Sequence, residues 1–188
     1  MPETPEEFHA RTAGALTMPP VETWDEWPFA GALQPRPLQP PVEREKPRHG
    51  EGGAGCWACE TPDDAFIWTD EHWRVAPRQE PSGLPVVVLL FPREHHDIDS
   101  LPPGRAAELG PLLVRIEAAV RAVGDIGRVH VCRWGEGSEH LHWWFMARPA
   151  RIAQLASSFA AIWDDVLPPV PEEIWRENLA IVARELAS

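Results

Sequence analysis

The chain has 188 residues, a length that suits one domain or a domain with an appendage, and it can bury a core large enough to fold alone. Its formal net charge at pH 7 is -12. Extended contact with a nucleic-acid backbone or an anionic membrane needs clustered Lys and Arg, so the charge argues against both partners and still allows a small anionic ligand.

The sequence offers no membrane-targeting signal. Its longest apolar run, residues 86–91, is far too short to span a bilayer, and no basic segment followed by an apolar stretch stands at the beginning. We therefore expect a cytoplasmic protein.

Residues 1–55 predict an irregular, Pro-rich N-terminal extension, because they are rich in Pro, Glu and Gly and show no sustained apolar period. Within them, Trp24, Trp27, Phe29 and Leu33 form an apolar group that a disordered tail would not need. We expect this extension to pack along the folded domain.

The middle of the chain predicts strands and one long helix. Residues 66–69 and 73–76 are short aromatic or β-branched runs that indicate a hairpin. Residues 86–91 are continuously apolar, as in a strand buried on both faces, and Pro92 ends that strand by removing a backbone donor. Apolar residues then recur at helical spacing over residues 105–123.

Two more strands and two more helices are predicted further on. Residues 128–133 and 140–147 indicate strands, joined by residues 134–139, whose glycines suit a tight turn or a close ligand. Residues 151–165 and 171–187 show helical patterns separated by a Pro-rich breaker. The order of elements predicts an α+β fold, an antiparallel sheet of about five strands with packed helices.

A histidine-containing segment carries the main functional signal. The stretch from Gly135 to Arg148 resembles the histidine triad signature, in which His-φ-His-φ-His-φ-φ (φ is apolar) follows a glycine-containing turn. His140 and His142 stand at its first two histidine positions, and Trp144 stands at the third. If the segment is a strand, these three side chains share one face. Two ordinary half-buried histidines are the alternative interpretation.

Two other motifs support the resemblance. Pro92 begins a Pro-x-x-His sequence similar to the one after the equivalent strand in histidine triad proteins, and a C-x-x-C pair lies upstream. The galactose-1-phosphate uridylyltransferase branch of that superfamily has a Cys2His2 zinc site, and the matching residues here are Cys56, Cys59, His95 and His140. The resemblance implies a structural zinc ion, with His96 as the alternative to His95. A chance C-x-x-C or a redox pair is the other interpretation.

The resemblance also implies an activity. In the family the middle histidine is the nucleophile, and the matching residue is His142, whose neutral imidazole would attack phosphorus and form a covalent nucleotidyl intermediate. We therefore expect a nucleotidyl hydrolase or transferase that acts on a small nucleoside phosphate ester, anhydride or phosphoramidate. Family members commonly form two-fold dimers, so the resemblance implies a homodimer; the alternative is that the extra helices and the N-terminal extension cover that interface.

Several nearby residues are candidates for binding the substrate. Glu136 could act as a general acid, while Ser138 and Arg133 could contact phosphate. Aromatic stacking on a base or sugar is expected of the two remaining candidates, Trp134 and Trp144. Ordinary turn and surface roles are the alternatives.

Trp144 is the main departure from the family pattern, because an indole cannot shuttle a proton as the third histidine does. A catalytically impaired, zinc-containing nucleotide-binding or regulatory protein is therefore the second hypothesis, and a purely structural or partner-binding role is the third. The resemblance covers a domain of residues 56–150. Residues 151–188 are expected to form a C-terminal helical extension packed on that domain.

Overall fold

A five-stranded antiparallel sheet forms the centre of the protein, in a computed structural model that describes residues 3–31 and 33–188. The strands lie in the spatial order β1-β2-β3-β5-β4. They are β1 (Trp68–Thr69), β2 (Trp73–Pro77), β3 (Val87–Pro92), β4 (Ile126–Cys132) and β5 (Trp143–Pro149). The predicted α+β class is confirmed, and the predicted hairpin is the β1–β2 pair.

Five α-helices lie in the described part of the chain. They are α1 (Pro5–Thr12), α2 (Trp57–Glu60), α3 (Pro103–Arg121), α4 (Ala160–Val166) and α5 (Glu172–Ala187). The helical periodicities that predicted α3 and α5 are confirmed to within two residues at each end. None of the described helices is both long and apolar enough to cross a bilayer.

Two helix predictions need correction. The region predicted as irregular contains α1, which begins with a capping box in which Thr4 and Glu7 each accept the other's backbone N–H, at 3.2 and 2.8 Å. The helix predicted over residues 151–165 is much shorter, because residues 151–156 form turns and a 3-10 turn occupies residues 157–159 before α4.

The apolar run that includes β3 fills both faces of the sheet. Val88 and Leu90 belong to a buried cluster with Phe145 that packs against α3 and α5. The alternate residues, Leu89 and Phe91, face the opposite side, where the segment around α2 covers them. A strand between two apolar layers has no polar face, which explains the continuous hydrophobic run.

The predicted strand over residues 140–147 begins three residues late. Leu90 of β3 pairs with Trp143, so in the same register His142 would face Phe91 and Leu141 would face Pro92, which has no N–H to offer. Leu141 instead donates its backbone N–H to the carbonyl of His96 at 2.7 Å. His140 and His142 therefore lie in an irregular segment that leads into β5.

The N-terminal extension contacts the part of the chain around α4. The ring centroids of Trp24 and Trp27 lie 5.7 and 5.3 Å from that of Phe159. The indole N–H of Trp163 donates to the carbonyl of Glu26 at 2.7 Å. Aromatic residues of the extension thus contribute to the layer that covers this side of the molecule.

Candidate metal centre and histidine site

Four metal-ligating side chains converge at the end of β3. The Sγ and Nδ1 atoms of Cys56, Cys59, His95 and His140 all lie within 4.8 Å of one another. Cys56 Sγ is 3.2 Å from His140 Nδ1, and Cys59 Sγ is 3.5 Å from the Nδ1 atoms of both histidines. We call these four residues the metal-ligand group.

These separations fit a tetrahedral zinc ion. Bonds of about 2.3 Å to sulfur and about 2.05 Å to nitrogen, at a tetrahedral angle, place the two ligand atoms about 3.6 Å apart. The histidine alternative lies outside the group, because His96 Nε2 contacts the carboxylate of Glu94 at 3.2 Å. His95 is thus the histidine that the fold brings to the cysteines.

The second ring nitrogen of each histidine in the group has its own partner. His140 Nε2 donates to the carbonyl of Pro92 at 2.9 Å. His95 Nε2 lies 3.0 Å from Glu139 Oε2. Because a carbonyl and a carboxylate only accept, both Nε2 atoms carry the proton and both Nδ1 atoms present a lone pair towards the cysteines.

Burial governs the ionisation of the group. Desolvation, together with the neighbouring Cys56 thiol, raises the pKa of Cys59 to about 11. Desolvation lowers the pKa of His140 to about 4, against the opposing effect of its hydrogen bond to Pro92. The imidazole of His140 is therefore neutral at pH 7 and ready to coordinate, whereas a metal ion would have to displace the proton of Cys59.

A buried arginine that the sequence analysis did not identify supports the cysteine segment. Arg74 on β2 is only 5 % exposed, and it donates to the carbonyls of Ala58 and Thr61 at 2.5 and 3.2 Å. Its guanidinium lies 4.4 Å from the ring centroid of Phe66. Burial is the main reason that its pKa lies below the usual value. The arginine thus satisfies carbonyls at the end of α2, the helix that contains Cys59.

His142 lies beside the metal-ligand group and is held by a backbone contact. Its Nδ1 is 2.9 Å from the carbonyl of His140, so in the neutral ring Nδ1 donates the proton and Nε2 keeps its lone pair. The ring stacks on Phe91 with centroids 5.9 Å apart, and Trp144 meets it edge-on at 6.3 Å. The imidazole is half-buried.

A cleft of about 480 Å³ adjoins His142, since Phe91 and Trp144 both line it. Its lining combines apolar and aromatic side chains with polar ones. The lining residues are Trp57, Ala76, Pro77, Arg78, Gln79, Glu80, Leu89, Phe91 and Trp144. The cleft has the character of a binding site for a flat organic group.

The five candidate substrate-binding residues do not share one site. Trp144 lines the cleft beside His142, and Trp134, which is 45 % exposed, contacts it with ring centroids 5.8 Å apart. Glu136 lines a separate cavity beside the N-terminal extension. Arg133 is ion-paired with Asp97, and Ser138 Oγ donates to the carbonyl of His49 at 3.2 Å. Only the two tryptophans are grouped around His142.

Sequence reasoning missed the residues that hold the site together. Arg74, Asp97 and Glu139 act through partners far away in the chain, and no local pattern marks them. Trp57 had a signal, since it lies inside the C-x-x-C pair, and its ring packs 5.7 Å from that of Phe91 at the mouth of the cleft.

Comparison with known proteins gives the fold. No family model matches the chain, and no curated protein sequence is significantly similar to it. Among solved structures, a histidine triad (HIT) protein from Sinorhizobium meliloti is 17% identical with a TM-score of 0.52, and the match covers 64% of this chain and 88% of that protein.

Two further structures agree. A Hit-like protein from Bartonella henselae, described as involved in cell-cycle regulation, has a TM-score of 0.50 at 16% identity, covering 68% of this chain and 89% of that one. A histidine triad protein from Bradyrhizobium japonicum has the same TM-score and identity, covering 64% and 89%. With its five antiparallel strands and flanking helices, this chain has the fold of the histidine triad proteins.

Proposed function

We propose that the protein is a nucleotidyl hydrolase or transferase in which His142 forms a covalent intermediate. The observation that carries this proposal is the hydrogen bond from His142 Nδ1 to the carbonyl of His140, at 2.9 Å. In the neutral imidazole this bond assigns the proton to Nδ1 and the lone pair to Nε2, and it fixes the plane of the ring, as an imidazole nucleophile requires. The adjoining cleft supplies space for the substrate.

The proposed reaction has two steps. The lone pair of His142 Nε2 attacks phosphorus, the bond from phosphorus to the leaving group breaks, and that group departs with its electron pair. Water or a second acceptor then attacks phosphorus, the P–N bond breaks, its electrons return to Nε2, and the attacking oxygen loses its proton to solvent. The first step is common to hydrolase and transferase.

Trp144 restricts the chemical class of leaving group that can depart from this site. The side chains whose rings pack against His142 are Phe91 and Trp144, and the indole N–H does not release a proton to a departing oxygen. We therefore propose substrates whose leaving group is stable as an anion or carries its own proton. Phosphoanhydrides and protonated phosphoramidates meet this condition better than alkyl esters.

The cleft suits a nucleoside. Trp57 and Trp144 offer aromatic surface, and Phe91 connects the cleft to His142. Arg78, which lines the cleft, is ion-paired with the buried carboxylate of Asp164 at 2.5 Å, which holds its position. This arrangement supports binding of a base or sugar next to the reacting phosphate.

We propose that zinc fills the metal-ligand group and is structural. The donor set, the ligand separations and the two oriented imidazoles fit that ion. When bound, zinc would cross-link the α2 segment to the residues after β3 and before β5, and four protein ligands would leave no position for water. Cys56, Cys59 and His95 would thereby hold His140, and through its carbonyl His142, in place.

The test is intact-protein mass spectrometry after brief incubation with nucleoside phosphoramidates, dinucleoside polyphosphates and nucleotide sugars. We expect a nucleotidyl adduct on the wild type and on His72→Ala, a control histidine in the β1–β2 turn, but not on His142→Ala. An adduct that persists in His142→Ala, with equal turnover, would refute the proposal.

A second candidate function rests on two observations. Trp144 stands where the family has its third histidine, and two of the candidate phosphate-binding residues already have partners within the protein. Ser138 and Arg133 already bond to His49 and Asp97, so a phosphate would have to compete with these partners. A protein that binds nucleotides in the cleft without turning them over is the corresponding hypothesis. Nucleotide affinity with no adduct and no product across the panel would favour it over catalysis.

We also propose a homodimer. In the described part of the chain β4 pairs only with β5, so the outer edge of β4 carries backbone groups with no neighbouring strand. Light scattering during size-exclusion chromatography tests this, and a monomeric mass at micromolar concentration would contradict it.

A further inference from the structure

Glu139 links the metal-ligand group to the N-terminal extension. Its Oε2 accepts from His95 Nε2 at 3.0 Å and from the backbone N–H of Gly52 at 2.6 Å. Its Oε1 lies 3.5 Å from the guanidinium of Arg48. One carboxylate therefore bonds to a metal-ligating histidine and to two residues of the extension.

Residues 50–53 lie directly against the metal-ligand group, and we call them the glycine loop. Gly50 has a φ of +72°, and a Cβ built on it would lie 3.0 Å from Cys56 Cβ and 3.4 Å from Cys56 Sγ. On Gly53, with a φ of +86°, a Cβ would lie 4.0 Å from His95 Cγ. The backbone at Gly50 can approach Cys56 this closely only because a side chain is absent there, and the positive φ at both positions favours glycine.

The residue just before the loop pairs with the turn that precedes the histidines. The N–H of His49 donates to the carbonyl of Gly137 at 3.0 Å, and the N–H of Glu139 donates to the carbonyl of His49 at 3.1 Å. Arg48 adds an ion pair with Asp97 at 2.5 Å. Both the side chain and the backbone of Glu139 thus attach the extension to the site.

We propose that Glu139 is a positioning residue for the metal centre, and that it couples metal binding to the docking of residues 48–53 on the turn at residues 135–139. A carboxylate that accepts from Nε2 holds the imidazole of His95 with Nδ1 towards the metal and makes it a stronger ligand. A metal ion on Nδ1 in turn holds the imidazole that Glu139 and the glycine loop contact. Coupling of this kind is reciprocal, so docking also strengthens metal binding.

The coupling gives the extension a defined role. With the metal bound, the extension closes over Cys56 and His95 and braces the turn that leads to His140. Without the metal, His95 can rotate, and the contacts through Glu139 weaken. This inference depends on the metal site proposed above and not on catalysis by His142.

The first test measures zinc affinity by competition with a chromophoric chelator. We expect Glu139→Gln to bind zinc roughly ten- to a hundred-fold more weakly than the wild type. Glu94→Gln is the matched control, because Glu94 makes the same carboxylate contact to His96, which lies outside the metal-ligand group. Its zinc affinity should equal that of the wild type.

A glycine pair tests the loop itself. Gly50→Ala and Gly52→Ala both place a side chain at a positive φ, +72° and +68°, but only the Cβ at position 50 meets Cys56. We expect zinc affinity to fall more in Gly50→Ala than in Gly52→Ala. Circular dichroism of the zinc-loaded variants checks that each is folded.

The second test is amide hydrogen exchange over residues 48–53 with zinc present or removed by a chelator. In the wild type, removal should speed exchange in these residues, and re-addition should restore protection. In Glu139→Gln, exchange should be fast in both states. Zinc uptake by the wild type, with unchanged affinity in Glu139→Gln or with exchange insensitive to zinc, would overturn this inference alone. A wild type that takes up no zinc would overturn the metal proposal as well.

Discussion

Asp164 on α4 provides the most direct test of how the C-terminal part of the chain supports the cleft. Its side chain is only 1 % exposed. Oδ1 accepts from the backbone N–H of Leu84 at 2.9 Å, and Oδ2 accepts from Arg78 in the cleft lining at 2.5 Å. Asp164→Ala removes both acceptors and leaves the N–H of Leu84 buried without a partner.

The expected loss follows from these two contacts. An unsatisfied buried N–H costs about 1–3 kcal/mol. The contact with Arg78, whose side chain is 37 % exposed, adds at most about 1 kcal/mol because solvent screens it. We therefore expect Asp164→Ala to lower the free energy of unfolding by about 2–3 kcal/mol, which corresponds to roughly 5–10 °C in Tm for a chain of this size.

Asp164→Asn separates the two contributions. Its amide oxygen can still accept from Leu84, whereas the amide NH2 that replaces Oδ2 cannot accept from Arg78, so only the contact with Arg78 is lost, and the expected cost is about 1 kcal/mol. Urea unfolding of zinc-loaded protein, followed by tryptophan fluorescence, measures both variants. If Asp164→Ala is no less stable than Asp164→Asn, the buried N–H of Leu84 has another partner and the reasoning is wrong.

Three further predictions test packing, binding and pH dependence. Gly83→Ala should destabilise the protein, as measured by urea unfolding, because its Cβ would lie 2.5 Å from Leu167 Cβ. Trp57→Ala should raise KM with kcat and zinc content nearly unchanged, and a fall in kcat alone would contradict its assignment to the cleft. The indole of Trp73 donates to Glu108 at 2.7 Å and lowers the pKa of that carboxyl, so its stabilisation is present above about pH 4.5 and is lost as pH falls further. Unfolding midpoints from pH 6 to pH 3 should therefore fall more steeply in the wild type than in Glu108→Gln.

The sequence determined the elements whose signals are local. The apolar run at residues 86–91 predicted β3, and apolar residues at helical spacing predicted α3 and α5. Such periodicities record which face of an element is buried, so they are visible without knowledge of the partner. The candidate metal ligands could be chosen because Cys56 and Cys59 share one short turn and because the motifs resemble those of a known superfamily.

Local patterns misled where a tertiary contact decided the outcome. The alternation through His140 and His142 predicted a strand, yet the pairing of β3 with β5 ends at Leu90 and Trp143, and Pro92, which would face Leu141 in that register, cannot donate. Arg133 and Ser138 suggested phosphate ligands, but the fold gives them partners in Asp97 and His49. The type of a side chain does not reveal which distant residue it will bond to in the folded protein.

Only the tertiary structure decided how the site is supported. Glu139 reaches His95 across 44 positions and Gly52 across 87, and Arg74 reaches Ala58 across 16. Contacts between residues so far apart leave no periodicity in the sequence, because each depends on where separate elements come to lie. The sequence thus determined the ligand types, whereas the fold determined their orientation, their charge environment and the closure of the N-terminal extension over them.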